Sequence, residues 1–323
     1  TRGSPDLRRP VTVSSHSLRL TATQCARQHA PGASDRVRAL MRRPLRLLLA
    51  LTLVCVASSV SLAADAPATA SRNSEDAPAS DGRTGRQIYD EVLANRFRAT
   101  RQSARLVSGD RSNNALESRM TVLWKSFRDE NDRATEGVFS KTVVRYTHPF
   151  DLRFSAYLVL NNEDRPDDQF VYLNSRRRTR RVNLRGEAVL GSDFGFEDVI
   201  PREIEDAEYK RLPDDVFDGR ACHVVEIIPV ASANSEYSRL RSWIDKEHPV
   251  VLRTQYWDHD GIAVKEGTAP FAEVREIEGV WVPMHAEMKN LVSESWSRLL
   301  IEDFEANPPL EDGVFDPRRL ETH

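Results

Sequence analysis

The stretch WIDKEHPVVLRTQYWDHDG, residues 243–261, contains the pattern that decides the fold. From 252 to 256 every second side chain is apolar, aromatic or β-branched, and the two between them are the polar Arg253 and Gln255. Successive side chains of a β-strand point to opposite faces, so this alternation predicts a strand with one buried face. The dipeptide Asp260–Gly261, which follows, favours a tight turn. The stretch therefore predicts antiparallel strands joined by a hairpin.

The same alternation continues through most of the chain between residues 119 and 303. Apolar and polar residues alternate over 284–289, and large residues recur at every second position from Phe154 to Leu160. Turn dipeptides separate such runs at Asn161–Asn162, Asp218–Gly219 and Glu278–Gly279. We predict roughly eight to eleven strands, without the alternation of strands and helices that a parallel sheet requires. The predicted fold is mainly β, a large curved antiparallel sheet or an unclosed β-barrel.

Helices are expected to cover this sheet. Apolar residues recur at helical spacing between Ile88 and Phe97, which predicts a helix from Thr84 to about Ser103, capped by Asp81 or Thr84. Shorter helical segments are predicted near 194–203 and after Asp316. A curved sheet with helices in its mouth encloses a cavity that has room for one apolar ligand.

Residues 41–63 have the layout of a secretory signal peptide. Three arginines precede an apolar run from Leu47 to Ala57, and Ser61-Leu62-Ala63 places small residues where signal peptidase cleaves. The apolar run is shorter than the roughly 20 residues that span a bilayer. We therefore predict cleavage after Ala63 and export to the periplasm. An uncleaved membrane anchor is the alternative.

The segments on either side of this signal differ in composition from the rest of the chain. Residues 1–40 are rich in Arg, Ser and Pro and show no periodicity, so we interpret them as upstream sequence from a start site assigned too early, with a long leader as the alternative. Residues 64–83 are predicted to form a flexible leader, because almost no large apolar residue is present to bury a face. Residues 84–323 are predicted to form a single domain.

The charge balance argues against nucleic acid as a partner. Residues 1–63 contain ten basic and two acidic residues, so residues 64–323 hold 36 Lys and Arg against 47 Asp and Glu, a formal net charge of −11. Binding to nucleic acid depends on neutralising phosphates with cationic side chains. The arginine-rich run after Tyr172 is therefore a local patch on an acidic, exported protein.

Several short motifs occur in an order that is typical of one family. Trp243-Ile244-Asp245, Pro249-Val250-Val251 and Tyr256-Trp257-Asp258 are followed by Gly279-Val280-Trp281-Val282-Pro283. Tyr172-Leu173, the arginine run and Gly191-Ser192-Asp193-Phe194 precede them. This succession resembles the LolA-like family of outer-membrane lipoprotein-sorting proteins. The similarity is greatest to a longer bacterial branch associated with RND-type or MMPL-like exporters, and it covers residues 85–320.

The resemblance implies an unclosed antiparallel β-barrel, capped by helices, that shields acyl chains in an apolar cavity. It implies a periplasmic carrier of lipid or lipoprotein that works toward the outer membrane, has no catalytic activity or cofactor, and meets membranes only peripherally. An RND-type, MMPL-like or ABC exporter is the implied partner. The alternatives are a non-transporting accessory or scaffold protein of such an exporter, and an envelope lipid hydrolase with a Ser, His or carboxylate cluster inside the cavity.

Aromatic residues and methionines on predicted strands are the candidates for lining this cavity, because broad or flexible apolar side chains accept varied acyl chains. An ordinary core position is the alternative for each of them. The candidates are Trp124, Phe170, Tyr172, Trp243, Tyr256, Trp281, Met284 and Met288.

The arginine run has two interpretations. One is a solvated strand that pairs with acidic neighbours such as Asp168 and protects a sheet edge. The other is a patch that binds anionic headgroups or an acidic partner at the cavity mouth, because guanidinium groups bind phosphate well. The residues concerned are Arg176, Arg177, Arg178, Arg180 and Arg181.

Other groups with chemical potential are interpreted as structural. Asp193-Phe194-Gly195 lacks the remaining elements of a kinase. His259 stands between Asp258 and Asp260, which could ligate a metal with it, but Asp260-Gly261 marks a hairpin turn, where polar residues are usual. Cys222 is predicted to be buried and inert, since the adjacent His223 would point to the opposite face of a strand. No metal site, cofactor or Gly-x-Ser-x-Gly elbow is predicted.

Overall fold

The computed structural model describes residues 81–321, apart from residues 113, 185 and 201. The predicted upstream sequence (1–40), the signal peptide (41–63) and most of the predicted leader (64–83) lie outside the described residues. None of the described helices has both the length and the apolar character needed to cross a membrane.

Strands dominate the described part of the chain, where two α-helices, α1 (Gly85–Ala94) and α2 (Phe196–Val199), accompany fifteen strands. The strands are β1 (Ala99–Gly109), β2 (Ala115–Ser126), β3 (Val138–His148), β4 (Ala156–Asn162), β5 (Asp168–Leu173), β6 (Arg178–Val182), β7 (Ala207–Phe217), β8 (Arg220–Pro229), β9 (Arg239–Asp245), β10 (Val251–Trp257), β11 (Ala263–Thr268), β12 (Val274–Ile277), β13 (Val280–Pro283), β14 (His285–Asn290) and β15 (Trp296–Ala306).

Thirteen of these strands form one antiparallel sheet in the order β6-β5-β4-β3-β2-β1-β15-β14-β11-β10-β9-β8-β7. Within the described residues, β6 and β7 each have a neighbour on one side only, so the predicted unclosed sheet is confirmed. The predicted number of strands was too low. Polar strands such as β7 and short ones such as β12 and β13, which form a separate hairpin, lack a long run of alternating apolar residues.

Three of the four predicted turn dipeptides lie between strands, whereas Asn161–Asn162 forms the end of β4. Asp218 and Gly219 connect β7 to β8 with φ of 50° and 72°, and Glu278 and Gly279 connect β12 to β13 with φ of 49° and 80°. Two successive residues with positive φ match the twist of the flanking strands, and glycine adopts that conformation without a steric cost. These two turns therefore set the strand register locally, as the sequence indicates.

Helix α1 is shorter than predicted. Thr84 caps it by accepting a hydrogen bond from the Gln87 amide, as one of the two predicted caps, and the helix ends at Ala94. Residues from Ala99 onward, which the sequence assigned to this helix, form β1 and pair with β2 and β15 on both sides. The helical spacing of Phe97 was misleading, because its ring packs against Phe304 of β15.

The sheet is covered on both faces near β4, although the alternation predicted one buried face. On the inner face Tyr157 and Val159 pack against Phe196 of α2. On the outer face Ala156 and Leu158 pack against the C-terminal segment that follows β15. This segment contributes Leu310, Phe315 and Leu320, and contains a 3-10 turn at Pro317–Arg319, which lies where a C-terminal helical segment was predicted.

A buried histidine joins the start of α1 to β7 and β8. His223 is 3% exposed, its Nε2 lies 2.6 Å from Nη2 of Arg83, and its Nδ1 lies 3.3 Å from a carboxylate oxygen of Asp214. Arg211 lies beside the ring and also pairs with Asp81, so residues assigned to the flexible leader take part in this cluster. Burial, together with the charges of Arg83 and Arg211, lowers the pKa of His223.

This lowered pKa predicts a loss of stability in mild acid. The unfolded chain binds a proton at His223 near the ordinary value of 6.5, whereas the folded chain resists it. The free energy of unfolding is therefore expected to decrease as the pH falls through 6.5 toward the lower folded pKa. Urea denaturation between pH 7.5 and 5.5 should show a smaller decrease for His223→Gln than for the wild type. His259→Gln, at an exposed turn, should match the wild type, and an equal decrease in all three proteins would contradict the expectation.

Candidate functional site

A cavity of about 470 Å³ lies against the inner face of the sheet. Its walls are β1 to β4 with Leu299 of β15, and it is covered by the end of α1 and by the segment 189–203, which includes α2. Alternation places every second residue of each strand in the cavity wall. The wall residues contributed by strands are Thr100, Gln102, Ala104, Leu106, Met120, Val122, Trp124, Ser140, Thr142, Val144, Tyr146, Tyr157, Val159 and Leu299.

The cover of the cavity is mostly apolar. Val189, Phe194, Phe196 and Ile200 line it from the segment 189–203, and the ring of Phe196 lies 4.5 Å from that of Tyr157. Val199 also lines the cavity, and 46% of it is exposed to solvent. An apolar side chain at the boundary of the cavity and solvent indicates that the cavity is accessible from this side.

A buried carboxylate holds the cover in place. Asp198 of α2 accepts hydrogen bonds from the Gly195 amide (2.7 Å), the Tyr237 hydroxyl (2.8 Å) and the Lys265 ammonium (3.1 Å). Burial, with Asp198 beside the ring, raises the pKa of Tyr237, so that the hydroxyl stays protonated and donates. A carboxylate with this many donors is compensated despite its burial. The cover is therefore tied to β11 and to the loop before β9.

Charged residues surround the mouth of the cavity. Arg96, Arg128, Arg202 and Glu203 line both this cavity and a second, more polar one of about 1170 Å³. Arg128 forms an ion pair with Glu203 and is 11% exposed at its side chain. An apolar cavity therefore opens into a polar, charged vestibule. We use "mouth end" for the end of the sheet that carries these residues and the β2–β3 and β4–β5 turns.

Three buried polar atoms of the cavity wall have no hydrogen-bond partner among the described residues. They are Trp124 Nε1, Ser140 Oγ and the Tyr157 hydroxyl oxygen. Buried polar groups are usually hydrogen-bonded, and leaving a donor unpaired is costly. Burial raises the pKa of Tyr157, so its hydroxyl is also a donor. These groups provide hydrogen-bond donors inside a largely apolar cavity.

One of the eight predicted cavity residues lines this cavity, namely Trp124. Three others pack directly behind its wall. Met288 belongs to the same core cluster as Phe194 and Leu106, as does the partly buried Tyr256, and Met284 packs with Phe97. These three support cavity-lining residues without lining the cavity.

The remaining four candidates lie on the outer face of the sheet. Phe170 and Tyr172 of β5 pack with the C-terminal segment. Trp243 donates a 2.9 Å hydrogen bond to Asp215, and Trp281 lies 4.0 Å from the His248 ring, in a cluster below the β12–β13 hairpin. Tyr172 and Trp243 are buried, and Phe170 and Trp281 are partly buried, but apolar character could not indicate which face each residue occupies.

Sequence reasoning missed most of the cavity wall. The wall residues include small and polar ones, such as Thr100, Ser140 and Thr142, which are not typical of a lipid-binding surface. They could have been predicted from their positions, because each alternates along its strand with buried residues of the outer face such as Leu123 and Val143. Once those face the outer core, their neighbours must face inward.

The arginine run extends along the edge of the sheet. Arg176 ends a 3-10 turn, Arg177 has a left-handed backbone, and Arg178, Arg180 and Arg181 belong to the edge strand β6. Only Arg181 reaches the polar vestibule, where it pairs with Asp168. All five are exposed, and Arg176 to Arg178 lie at the end of β6 away from the mouth end.

Groups that resemble metal or catalytic sites are already neutralised. Asp245, Glu247 and His248 lie close together, but Arg220 donates to Asp245 (2.7 Å) and to Glu247 (2.8 Å). The guanidinium takes the place that a cation would occupy. Cys222 is fully buried, as the sequence predicted, and burial raises the pKa of its thiol to about 11, so the reactive thiolate is suppressed.

Comparison with solved structures confirms the predicted LolA-like fold. A domain from Vibrio parahaemolyticus described as an outer membrane lipoprotein-sorting protein is 24% identical, with a TM-score of 0.66 over 73% of this chain and 98% of that one. A DUF1329 family protein from Desulfovibrio piger is 20% identical, with a TM-score of 0.66 over 73% and 99%. A LolA superfamily protein from Nitrosomonas europaea is 17% identical, with a TM-score of 0.56 over 72% and 98%. At these identities the shared property is the fold.

A search of curated proteins found no match to this chain. A family model does match it, over residues 139–322, which is more than half of the chain. That range begins in β3 and includes the cover of the cavity, the outer hairpin and the C-terminal segment. The protein therefore belongs to the family that this model defines, whose description is "Uncharacterized protein".

Proposed function

We propose that this protein is a periplasmic carrier that binds an acyl chain of a lipid or lipoprotein in the cavity between β1–β4 and α2. The observation that carries the proposal is an apolar cavity, open at one end, on the inner face of an unclosed sheet. Such a cavity shields hydrocarbon from water while its mouth leaves a polar group in solvent. The similarity in fold to a domain described as lipoprotein-sorting supports the same function.

The volume of the cavity is that of a single chain. A water molecule occupies about 30 Å³, and a methylene group is of similar size, so a cavity of about 470 Å³ holds roughly sixteen methylenes. Each buried methylene contributes about 0.8 kcal/mol. One acyl chain therefore fills this cavity, and a cargo with several chains would require the cover to move.

Polar groups are placed to bind the other end of the cargo. Trp124 Nε1 and Ser140 Oγ are buried donors without partners, on neighbouring strands of the wall. An ester carbonyl or a carboxylate next to the chain would satisfy them. Beyond them, Arg96, Arg128 and Arg202 line the vestibule, each paired with a carboxylate, so this end offers a polar environment for the headgroup of the cargo.

The cellular setting is inferred from the sequence. The predicted signal peptide at 41–63 supports transport to the periplasm, where an acyl chain needs shielding between two membranes. Release of a tightly held chain requires an acceptor, and we propose an exporter or an outer-membrane component.

An accessory protein without cargo would not need an open apolar cavity, so the geometry favours the carrier. The cavity lining contains Ser140 and Glu203, but Ser140 has no hydrogen-bond partner among the described residues and Glu203 pairs with Arg128, so no base activates the serine and we propose binding without catalysis.

Native mass spectrometry of protein purified from a bacterial periplasm without detergent tests this function. We expect one lipid molecule to co-purify with each protein molecule and to be removed by organic extraction. The extracted protein should then bind one molecule of palmitate. Protein that carries no such mass and takes up no palmitate would contradict the proposal and favour a scaffold.

The position of the chain can be tested in the same sample. A fatty acid brominated along its chain should quench the fluorescence of Trp124, because the indole lies in the cavity wall. Trp124→Phe should bind the chain more weakly, because the Nε1 donor is lost, and at saturation it should lose most of this quenching. Trp243→Phe is the matched control, since that indole lies on the outer face and its removal should leave the quenching unchanged.

A further inference from the structure

The end of the sheet opposite the mouth carries three adjacent turns. Antiparallel pairing of Arg119 with His148 and of Ala156 with Tyr172 brings together the β1–β2, β3–β4 and β5–β6 turns. The Asn174 amide donates a 3.2 Å hydrogen bond to the hydroxyl of Ser155, so the last two turns are in direct contact. We call this surface, formed by Leu116, 149–155 and 174–178, the far-end patch.

Two large apolar side chains project from the far-end patch into water. Phe150 is 85% exposed and Leu116 is 79% exposed. The turn that carries Phe150 is anchored, because Leu152 packs inward against Tyr146 and Phe194. The phenyl ring is therefore held outward by a fixed turn. Single exposed apolar residues are common, so a binding surface needs a second observation.

The second observation is a local excess of positive charge. Arg153, Arg176, Arg177 and Arg178 are all exposed, and Asp151 is the one carboxylate within 149–155 and 174–178. For the described residues, Arg176 to Arg178 form no ion pair, whereas the charges of the cavity vestibule are paired. The patch thus offers free guanidinium groups beside exposed apolar side chains.

We propose that the far-end patch docks the protein on the surface of an anionic phospholipid bilayer. Guanidinium groups bind lipid phosphates, and an outward phenyl ring can enter the boundary between headgroups and acyl chains. The net charge of −11 over residues 64–323 does not prevent this contact, because charges more than about 8 Å away are screened at physiological salt. Docking at this end leaves the cavity mouth facing away from the membrane.

Vesicle co-sedimentation of the protein purified from a bacterial periplasm tests the docking. The wild type is expected to bind vesicles that contain phosphatidylcholine and phosphatidylglycerol and to dissociate from them in high salt. It should not bind vesicles of phosphatidylcholine alone. Arg176→Gln/Arg177→Gln/Arg178→Gln should bind about a hundredfold more weakly. Each arginine near an anionic surface strengthens binding by a factor of about five, and the three factors multiply. Phe150→Ser should bind about tenfold more weakly.

Matched variants separate the patch from net charge and from general apolarity. Arg98→Gln/Arg133→Gln/Arg275→Gln makes the same charge change at exposed positions outside the patch, and Val216→Ser removes a 64% exposed apolar residue at the β7–β8 turn. Both should bind as the wild type. All variants should keep the circular dichroism spectrum and urea midpoint of the wild type, which shows that they are folded and makes the result independent of the cargo proposal.

Two results would overturn the docking. An equal loss in the patch and control triple variants would assign the effect to net charge. If the wild type shows no salt-sensitive binding to either vesicle, the occupant of the patch is an acidic protein and not a bilayer.

Discussion

Replacing Thr142 with tryptophan is expected to weaken binding of a sixteen-carbon acyl chain about a hundredfold. Thr142 lies on β3 and points into the cavity. Tryptophan adds about four methylene volumes to a cavity of about 470 Å³, so that many methylenes of the chain would stay in water. At about 0.8 kcal/mol for each, the loss is about 3 kcal/mol, which corresponds to the stated factor. Titration with a fluorescent fatty acid measures it.

The chain offers a matched control for this substitution. Thr121 lies on the adjacent strand β2, is similarly half-buried, and points to the outer face, because its neighbours Met120 and Val122 line the cavity. Thr121→Trp should bind the chain as the wild type does. A shorter chain of ten to twelve carbons should bind Thr142→Trp as tightly as it binds the wild type, because it leaves room for the indole. Equal affinity of both Trp variants for the long chain would show that the cargo binds elsewhere.

Replacing Phe315 with alanine is expected to lower the free energy of unfolding by about 3–5 kcal/mol, which is the usual cost of removing a buried aromatic ring. Phe315 is 2% exposed and joins Leu310 and Leu320 in the cluster that covers the outer face of β2 to β5. Its ring also makes an edge contact with Phe127, at a centroid distance of 6.3 Å. Urea denaturation monitored by circular dichroism measures the change.

Leu116→Ala is the control for Phe315→Ala, because the leucine is apolar but exposed and should contribute less than about 0.5 kcal/mol. Phe315 lies on the opposite face of the sheet from the cavity. Under conditions where the variant is folded, its affinity for an acyl chain should therefore match that of the wild type. A loss below about 1 kcal/mol would show that the C-terminal segment is a loose cover and not part of the core.

The sequence predicted the type of fold because alternation and turn chemistry are local properties. The stretch around Leu252 and Tyr256 forms β10, and the dipeptides at 218–219 and 278–279 form the turns they indicated. The length of α1 was wrong because the spacing up to Phe97 suits a helix, whereas pairing of β1 with two neighbours stabilises a strand from Ala99.

The candidate site was less predictable. Aromatic residues and methionines were chosen for their chemistry, and of these Trp124 lines the cavity while Phe170, Tyr172 and Trp243 lie on the outer face. Both faces of the sheet are covered, one by α1 and α2 and the other by the β12–β13 hairpin and the C-terminal segment. When both faces bury apolar residues, the pattern cannot distinguish a core from a cavity.

By itself, then, the sequence determined that this chain forms antiparallel strands, where several of them turn, and that Cys222 is buried. Each of these follows from interactions between residues close together in the chain. Only the tertiary structure decided which covered face keeps an open cavity, that Arg128 and Glu203 meet at its mouth, and that Phe150 and Arg176 to Arg178 share the opposite end. Those arrangements depend on the order of strands in the sheet and on distant segments packing over it, which no local pattern encodes.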